Sequence, residues 1–175
     1  IYVTEDELSL LPESVSDEHA LLLHHVALAK AAADKLGVKK GQHIAVVGAN
    51  IPGILLCQLL IYQQAAPILI DADAARLEFA RSCGIYYTMQ TDENLLGNIA
   101  SLTGGRLVSG AVYVTSAHHN EPSIPFSVFA KGANVVLFGP RAHFDVNFSE
   151  PFRTEISVYC VSGSSDNLEH SLTLI

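Results

Sequence analysis

Short runs of apolar, largely β-branched residues alternate along this chain with segments of helix length. Strands of this kind, separated by helices, are typical of repeated βαβ units with a parallel sheet buried on both faces. The runs that predict strands are HIAVVG (43–48), APILID (66–71), IYYTM (85–89), GAVYVT (110–115), NVVLFG (134–139) and EISVYCVSG (155–163). The segments that predict helices are PGILLCQLLIYQQ (52–64), DAARLEFARSCG (73–84), DENLLGNIASLTGG (92–105), PSIPFSVFAKGA (122–133) and SDNLEHSLTLI (165–175).

An Ala- and Leu-rich segment precedes the first strand and predicts a further helix. Ser16 is a favourable N-cap, and Asp17 and Glu18 place carboxylates in the first turn, where the helix dipole stabilises them. The helix is expected to run to about Leu36, with Gly37 as the residue that ends it. We predict an α/β fold in a single domain, 1–175, whose core is 16–175.

Composition narrows the function classes. A formal charge of −8 argues against a nucleic-acid partner, because phosphate binding needs clustered Lys and Arg. No apolar run approaches the length that crosses a bilayer. Cys57, Cys83 and Cys160 form no metal or disulfide pattern and are expected to be buried free thiols of a reducing cytoplasm.

The turn after the first strand carries the first candidate chemistry. Gly48 allows a sharp exit from the strand, and Gly53 allows close packing of the following helix, as a dinucleotide-binding turn requires. Asn50 stands where such turns have a middle glycine; it tolerates a positive φ and can donate a hydrogen bond to a phosphate. Pro52 suits a helix start, whose free N–H groups bind anions. A plain strand–helix turn is the alternative.

An acidic residue follows the second strand, about twenty residues after the turn. A carboxylate there accepts both hydroxyls of an adenosine ribose and repels a 2′-phosphate, which favours NAD over NADP. Asp71 occupies that position. Asp73 is the better N-cap for the next helix, so Asp71 is expected to be free for a ligand.

Taken in order and spacing, several segments resemble the zinc-type medium-chain alcohol dehydrogenase superfamily. They are LPESVSDEHALLL, LGVKKGQ, VVGANIPGILLCQL, DADAARLEFARSCG, LTGG and GANVVLFG, which span nearly the whole chain. The resemblance implies a three-layer Rossmann fold with a six-stranded parallel sheet of order 3-2-1-4-5-6. It also implies that residues 1–15 are a lead-in from a catalytic domain that is absent here. The chain of 175 residues, taken alone, is then expected to be inactive.

The resemblance implies a cofactor site at defined positions. Arg76 matches a basic residue near the adenosine end, and the ends of the fourth and fifth strands match residues along the nicotinamide channel. Together the implied cofactor-binding residues are Gly48, Asn50, Ile51, Pro52, Gly53, Asp71, Arg76, Val114, Thr115, Phe138 and Gly139.

Several histidines allow more than one interpretation. His24 matches a position where relatives carry a Cys or Glu that completes a catalytic zinc site, so it is a candidate ligand in the full-length parent. An ordinary helix-surface histidine is the alternative. His118 and His119 follow the fourth strand, at the edge where ligands bind; they are either nicotinamide or substrate contacts or a solvated pair.

The predicted function is the cofactor-binding domain of an NAD-dependent alcohol or polyol dehydrogenase, with zinc in the parent only. The alternatives are a non-catalytic nucleotide-binding or dimerisation module and, less favoured, an S-adenosylmethionine-dependent methyltransferase. The sixth strand is expected at the sheet edge, where exposed strands pair with other chains. In the resembled family this edge joins two subunits, so we expect a homodimer with no membrane or nucleic-acid partner.

Overall fold

The strands form one parallel sheet in the order β3-β2-β1-β4-β5-β6, as the resemblance implied. The computed structural model describes residues 10–114, 124–138 and 154–161. The strands are β1 (His43–Val47), β2 (Ala66–Asp71), β3 (Tyr87–Gln90), β4 (Val108–Val114), β5 (Phe129–Phe138) and β6 (Ser157–Val161). The helices are α1 (Asp17–Ala20), α2 (Leu23–Leu36), α3 (Ile51–Tyr62), α4 (Ala74–Ser82) and α5 (Leu95–Leu102).

Two apolar clusters cover the two faces of the sheet, which makes the fold three-layered. One cluster joins α2, α3 and α4 to one face, and the other joins α5 and the start of β5 to the opposite face. Because side chains alternate along a strand, neighbouring residues of β1 divide between them: Val46 faces the first cluster and Val47 the second. The predicted doubly covered Rossmann sheet is confirmed.

The segment before β1 forms two helices where the sequence predicted one. Ser16 is the N-cap, and its hydroxyl oxygen accepts a hydrogen bond from His19 N at 3.3 Å. The first helix stops after Ala20, where Leu22 N donates to His19 O in a tighter turn. The second ends at Gly37, which is left-handed at φ 61°, as predicted.

The predicted helix over 122–133 is wrong for the part that the structure describes. A single 3₁₀ turn covers Phe126–Val128, and β5 begins at Phe129. Pro125 is extended, with ψ 146°, and a proline also disfavours helical geometry in the residue before it. Phe126 and Phe129 are buried in the second cluster, and this burial holds the chain extended. The closing helix predicted over 165–175 lies outside the described residues.

The three cysteines differ in their surroundings, so the expectation that all are buried is wrong for two of them. Cys57 is fully buried in α3, and burial raises the pKa of its thiol far above the ordinary value. Cys83 is partly buried and Cys160 is exposed on β6; all three are free thiols.

In the described part of the chain, no helix combines the length and apolar character that a membrane span requires.

Candidate nucleotide-binding site

The turn between β1 and α3 has the two steric features predicted for its glycines. Gly48 adopts φ 113°, a conformation that L side chains rarely adopt. A Cβ at Gly53 would lie 2.1 Å from Gly48 O, so only glycine lets α3 approach the end of β1 this closely. Pro52 stands in the first turn of α3, where its missing N–H costs nothing.

Asn50 does not have the conformation that the sequence suggested. Its backbone is extended, with φ −101° and ψ 176°, so the expected use of a positive φ is wrong. Its side chain instead caps α3: Oδ1 accepts from Gly53 N at 3.0 Å. The same carboxamide donates from Nδ2 to Val114 O at 3.0 Å, across to the end of β4.

Several backbone amides of the turn already have partners within the protein. Gly48 N donates to a β2 carbonyl at 2.8 Å, Ala49 N donates to a β2 carboxylate at 2.7 Å, and Gly53 N donates to the Asn50 side chain. The amides of Asn50 and Ile51 show no partner among the described residues. These two N–H groups, at the positive end of the α3 dipole, are the donors that the turn offers to an anion as it stands.

Asp71 lies at the end of β2 and is only 3% exposed. Its Oδ2 accepts from Ala49 N at 2.7 Å, and its Oδ1 accepts from Asp73 N at 2.8 Å. The carboxylate is therefore part of the turn's own hydrogen-bond network. The prediction that Asp73 caps α4 holds, since its Oδ1 accepts from Ala75 N and Arg76 N, but the inference that Asp71 is left free is wrong.

Arg76 lies over the same carboxylates. Its Nη1 is 3.8 Å from Asp71 Oδ2, and its Nε is 3.6 Å from Asp73 Oδ2. The Asp71 side chain is 5% exposed and that of Arg76 is 26% exposed, so the guanidinium is the more accessible of the two charged groups.

The sheet brings the remaining predicted positions to the same edge, as far as they are described. Val114 and Phe138 end β4 and β5, are paired in register and are buried. Thr115 and Gly139 come directly after them and lie outside the described residues, as do His118 and His119.

His24 lies exposed on α2. Its ring packs edge-on against His25, with centroids 5.9 Å apart. Burial lowers the pKa of His25, and the charge of His24 lowers it further. Over residues 10–114, 124–138 and 154–161, no group of three or more His, Cys, Asp or Glu side chains is placed to hold a metal.

Two partners in this site gave no sequence signal. The Ala49 amide and the Val114 carbonyl are backbone groups, and the hydrogen bonds that they make depend on how the strands lie side by side. Gln90 is a further contributor that the sequence analysis missed: its Nε2 donates to Ala72 O at 2.8 Å and joins β3 to the residue after Asp71. A polar residue at the end of an edge strand is the only hint that the sequence provided.

Known proteins similar to this chain include an alcohol dehydrogenase-like protein and a D-xylulose reductase. No protein-family model matches it. An uncharacterised zinc-type alcohol dehydrogenase-like protein of Haemophilus influenzae is 23% identical over 171 residues, which cover 96% of this chain and 49% of that protein. The probable D-xylulose reductase A of Aspergillus niger is 28% identical over 123 residues, covering 69% of this chain and 34% of the reductase.

The fold has solved counterparts as well. A short chain alcohol dehydrogenase from Escherichia coli CFT073, complexed with NADH, superposes with a TM-score of 0.82 at 20% identity, covering 98% of this chain and 51% of that one. The chain spans 49% of the length of the Haemophilus protein and 34% of the length of the reductase. These similarities confirm the resemblance inferred from the sequence: the chain is similar to a zinc-type alcohol dehydrogenase-like protein over about half of that protein's length, and its fold is that of one part of a solved alcohol dehydrogenase.

Proposed function

We propose that this chain is the cofactor-binding domain of an NAD-dependent alcohol or polyol dehydrogenase. The observation that carries the proposal is the Asp71 carboxylate accepting from the Ala49 amide at 2.7 Å, which places an acidic group directly beside a glycine turn at a helix N-terminus. The similarity to an alcohol dehydrogenase complexed with NADH and to a D-xylulose reductase supports this chemistry. A bound nicotinamide supplies the hydride acceptor for an alcohol carbon.

In this proposal each part of the site has a distinct task. The α3 N-terminus holds the diphosphate through the Ile51 amide and the helix dipole, and Gly48 and Gly53 let α3 begin close to the end of β1. Val114 and Phe138, with Thr115 and Gly139 after them, line the path toward the nicotinamide. Asp71 and Arg76 hold the adenosine ribose.

We propose NAD as the preferred cofactor over NADP. Asp71 and Asp73 lie at the ribose end, and both pair with Arg76. With its charge balanced by two carboxylates, this guanidinium attracts a 2′-phosphate less than an unpaired arginine does. The buried carboxylate itself repels that phosphate.

The catalytic chemistry is proposed for the longer parent protein of which this chain would be one domain. A zinc ion in the parent would supply a Lewis acid for the substrate oxygen, and His24 would be a candidate ligand for it, since histidine is a common zinc ligand. We place the parent in the cytoplasm, because the three cysteines of this chain are free thiols. The substrate class is a small alcohol, polyol or ketone.

We also propose a homodimer that joins through β6. This strand pairs with β5 along one edge, and Val158 and Tyr159 are 47% and 38% exposed. An exposed edge strand is a ready template for a second copy. Sedimentation equilibrium is expected to give twice the chain mass, and replacing Val158 with lysine is expected to give monomers. A monomer at high protein concentration would contradict the proposal.

A non-catalytic nucleotide-binding or dimerisation module is the second candidate. It is favoured by the few amides that the turn leaves for a diphosphate. In a titration, we expect NADH fluorescence to rise on binding and NADPH to bind markedly more weakly. Binding of neither would favour the second candidate, and binding of S-adenosylmethionine without NADH would indicate a methyltransferase.

A further inference from the structure

We propose that the Asn50 side chain competes with the diphosphate for the α3 N-terminus. The side chain must leave this position when a dinucleotide binds. The inference rests on the proposed function and deepens it, because it concerns the affinity of the same turn. In this role Asn50 limits the affinity for the cofactor and joins the turn to the end of β4.

The geometry supports competition because the Asn50 side chain already occupies an amide at the α3 N-terminus and is also hydrogen-bonded to β4. Asn50 Oδ1 accepts a hydrogen bond from Gly53 N at 3.0 Å, and Asn50 Nδ2 donates one to Val114 O at 3.0 Å. Each end of the carboxamide thus makes one hydrogen bond, and together the two bonds join the start of α3 to the end of β4. The amide that it occupies belongs to the glycine whose missing Cβ lets α3 approach the end of β1.

The bound turn needs a different arrangement. A phosphoryl oxygen at the α3 N-terminus would take the Gly53 amide as well as that of Ile51, because hydrogen bonds to charged acceptors are the stronger ones. The Asn50 carboxamide then rotates away, and the Val114 carbonyl loses its donor. Dinucleotide binding therefore breaks two hydrogen bonds within the protein that a glycine at position 50 would never form.

Asn50→Gly tests this directly. We expect the variant to bind NADH about threefold to tenfold more tightly than the unaltered chain, the range set by the hydrogen bond to Val114 O, because this is the one of the two that the phosphate does not replace. Asn134→Ala is the matched control, because Asn134 Nδ2 also donates to a backbone carbonyl, Leu36 O, at 2.9 Å. That variant is expected to lose stability and to keep the NADH affinity unchanged.

Amide hydrogen exchange gives a second readout that needs no ligand. Without NADH, the Gly53 amide is expected to exchange faster in Asn50→Gly than in the unaltered chain, measured against the Ile54 amide, which donates to the Asn50 carbonyl at 2.9 Å. Saturating NADH is expected to slow it in both proteins.

The outcomes separate this inference from the proposed function. Equal or weaker NADH binding by Asn50→Gly, while the unaltered chain binds, would overturn the competitor role and leave the dehydrogenase assignment standing. An unchanged exchange rate at Gly53 in the ligand-free variant would also overturn it. Failure of both proteins to bind any nicotinamide cofactor would overturn the proposed function itself.

Discussion

Gly53→Ala is expected to lower the free energy of unfolding by about 3 kcal/mol or more, as overpacking against fixed backbone does. The added Cβ would lie 2.1 Å from Gly48 O and 3.2 Å from Asn50 Oδ1. Neither oxygen can move easily, because Gly48 directly follows β1 and its amide is bonded to β2, and the Asn50 side chain is bonded to both α3 and β4. Urea denaturation followed by circular dichroism measures the change.

Gly97→Ala is the matched control. Gly97 lies inside α5, and a Cβ there meets nothing within 4 Å. Alanine in a helix interior is more favourable than glycine by about 0.5–1 kcal/mol, so this variant is expected to be more stable than the unaltered chain. A loss of stability equal in both variants would show that the approach of α3 to β1 is not what Gly53 provides.

Asp71→Ser is expected to have two effects at once. The free energy of unfolding should fall by about 2–4 kcal/mol, because the buried Ala49 amide loses the acceptor that holds it, and Arg76 loses one of its carboxylates. The preference for NADH over NADPH should fall by about tenfold or more, since the charge that repels a 2′-phosphate is gone. Denaturation and cofactor titration measure the two effects separately.

Asp73→Asn serves as the comparison for Asp71→Ser. Asparagine is as good an N-cap as aspartate, so α4 should keep its cap and lose at most a few tenths of a kcal/mol. The variant removes only the more exposed of the two carboxylates that pair with Arg76 and leaves Asp71 in place, so the preference for NADH is expected to fall less than in Asp71→Ser. An NADH-to-NADPH ratio that is unchanged in Asp71→Ser would refute the ribose-binding role of Asp71.

The local chemistry of the turns could be predicted because single residues determine it. Ser16 caps α1, Gly37 ends α2 in a left-handed conformation, and Asp73 caps α4, each as its residue type required. The apolar runs likewise determined the strands, since a parallel sheet covered on both faces needs strands that are apolar throughout. The helix predicted before β5 was wrong because burial of Phe126 and Phe129 outweighed local helical pattern.

The sequence by itself determined which residues stand at the carboxyl edge of the sheet, because strand ends and helix starts are local features. Only the tertiary structure decided which atoms of those residues are free to bind. Asn50 and Asp71 both resemble ligand groups in sequence, yet each is bonded to a backbone group distant in the chain, Val114 O in one case and Ala49 N in the other. Such bonds depend on the spacing of neighbouring strands, which brings polar groups together regardless of their separation along the chain.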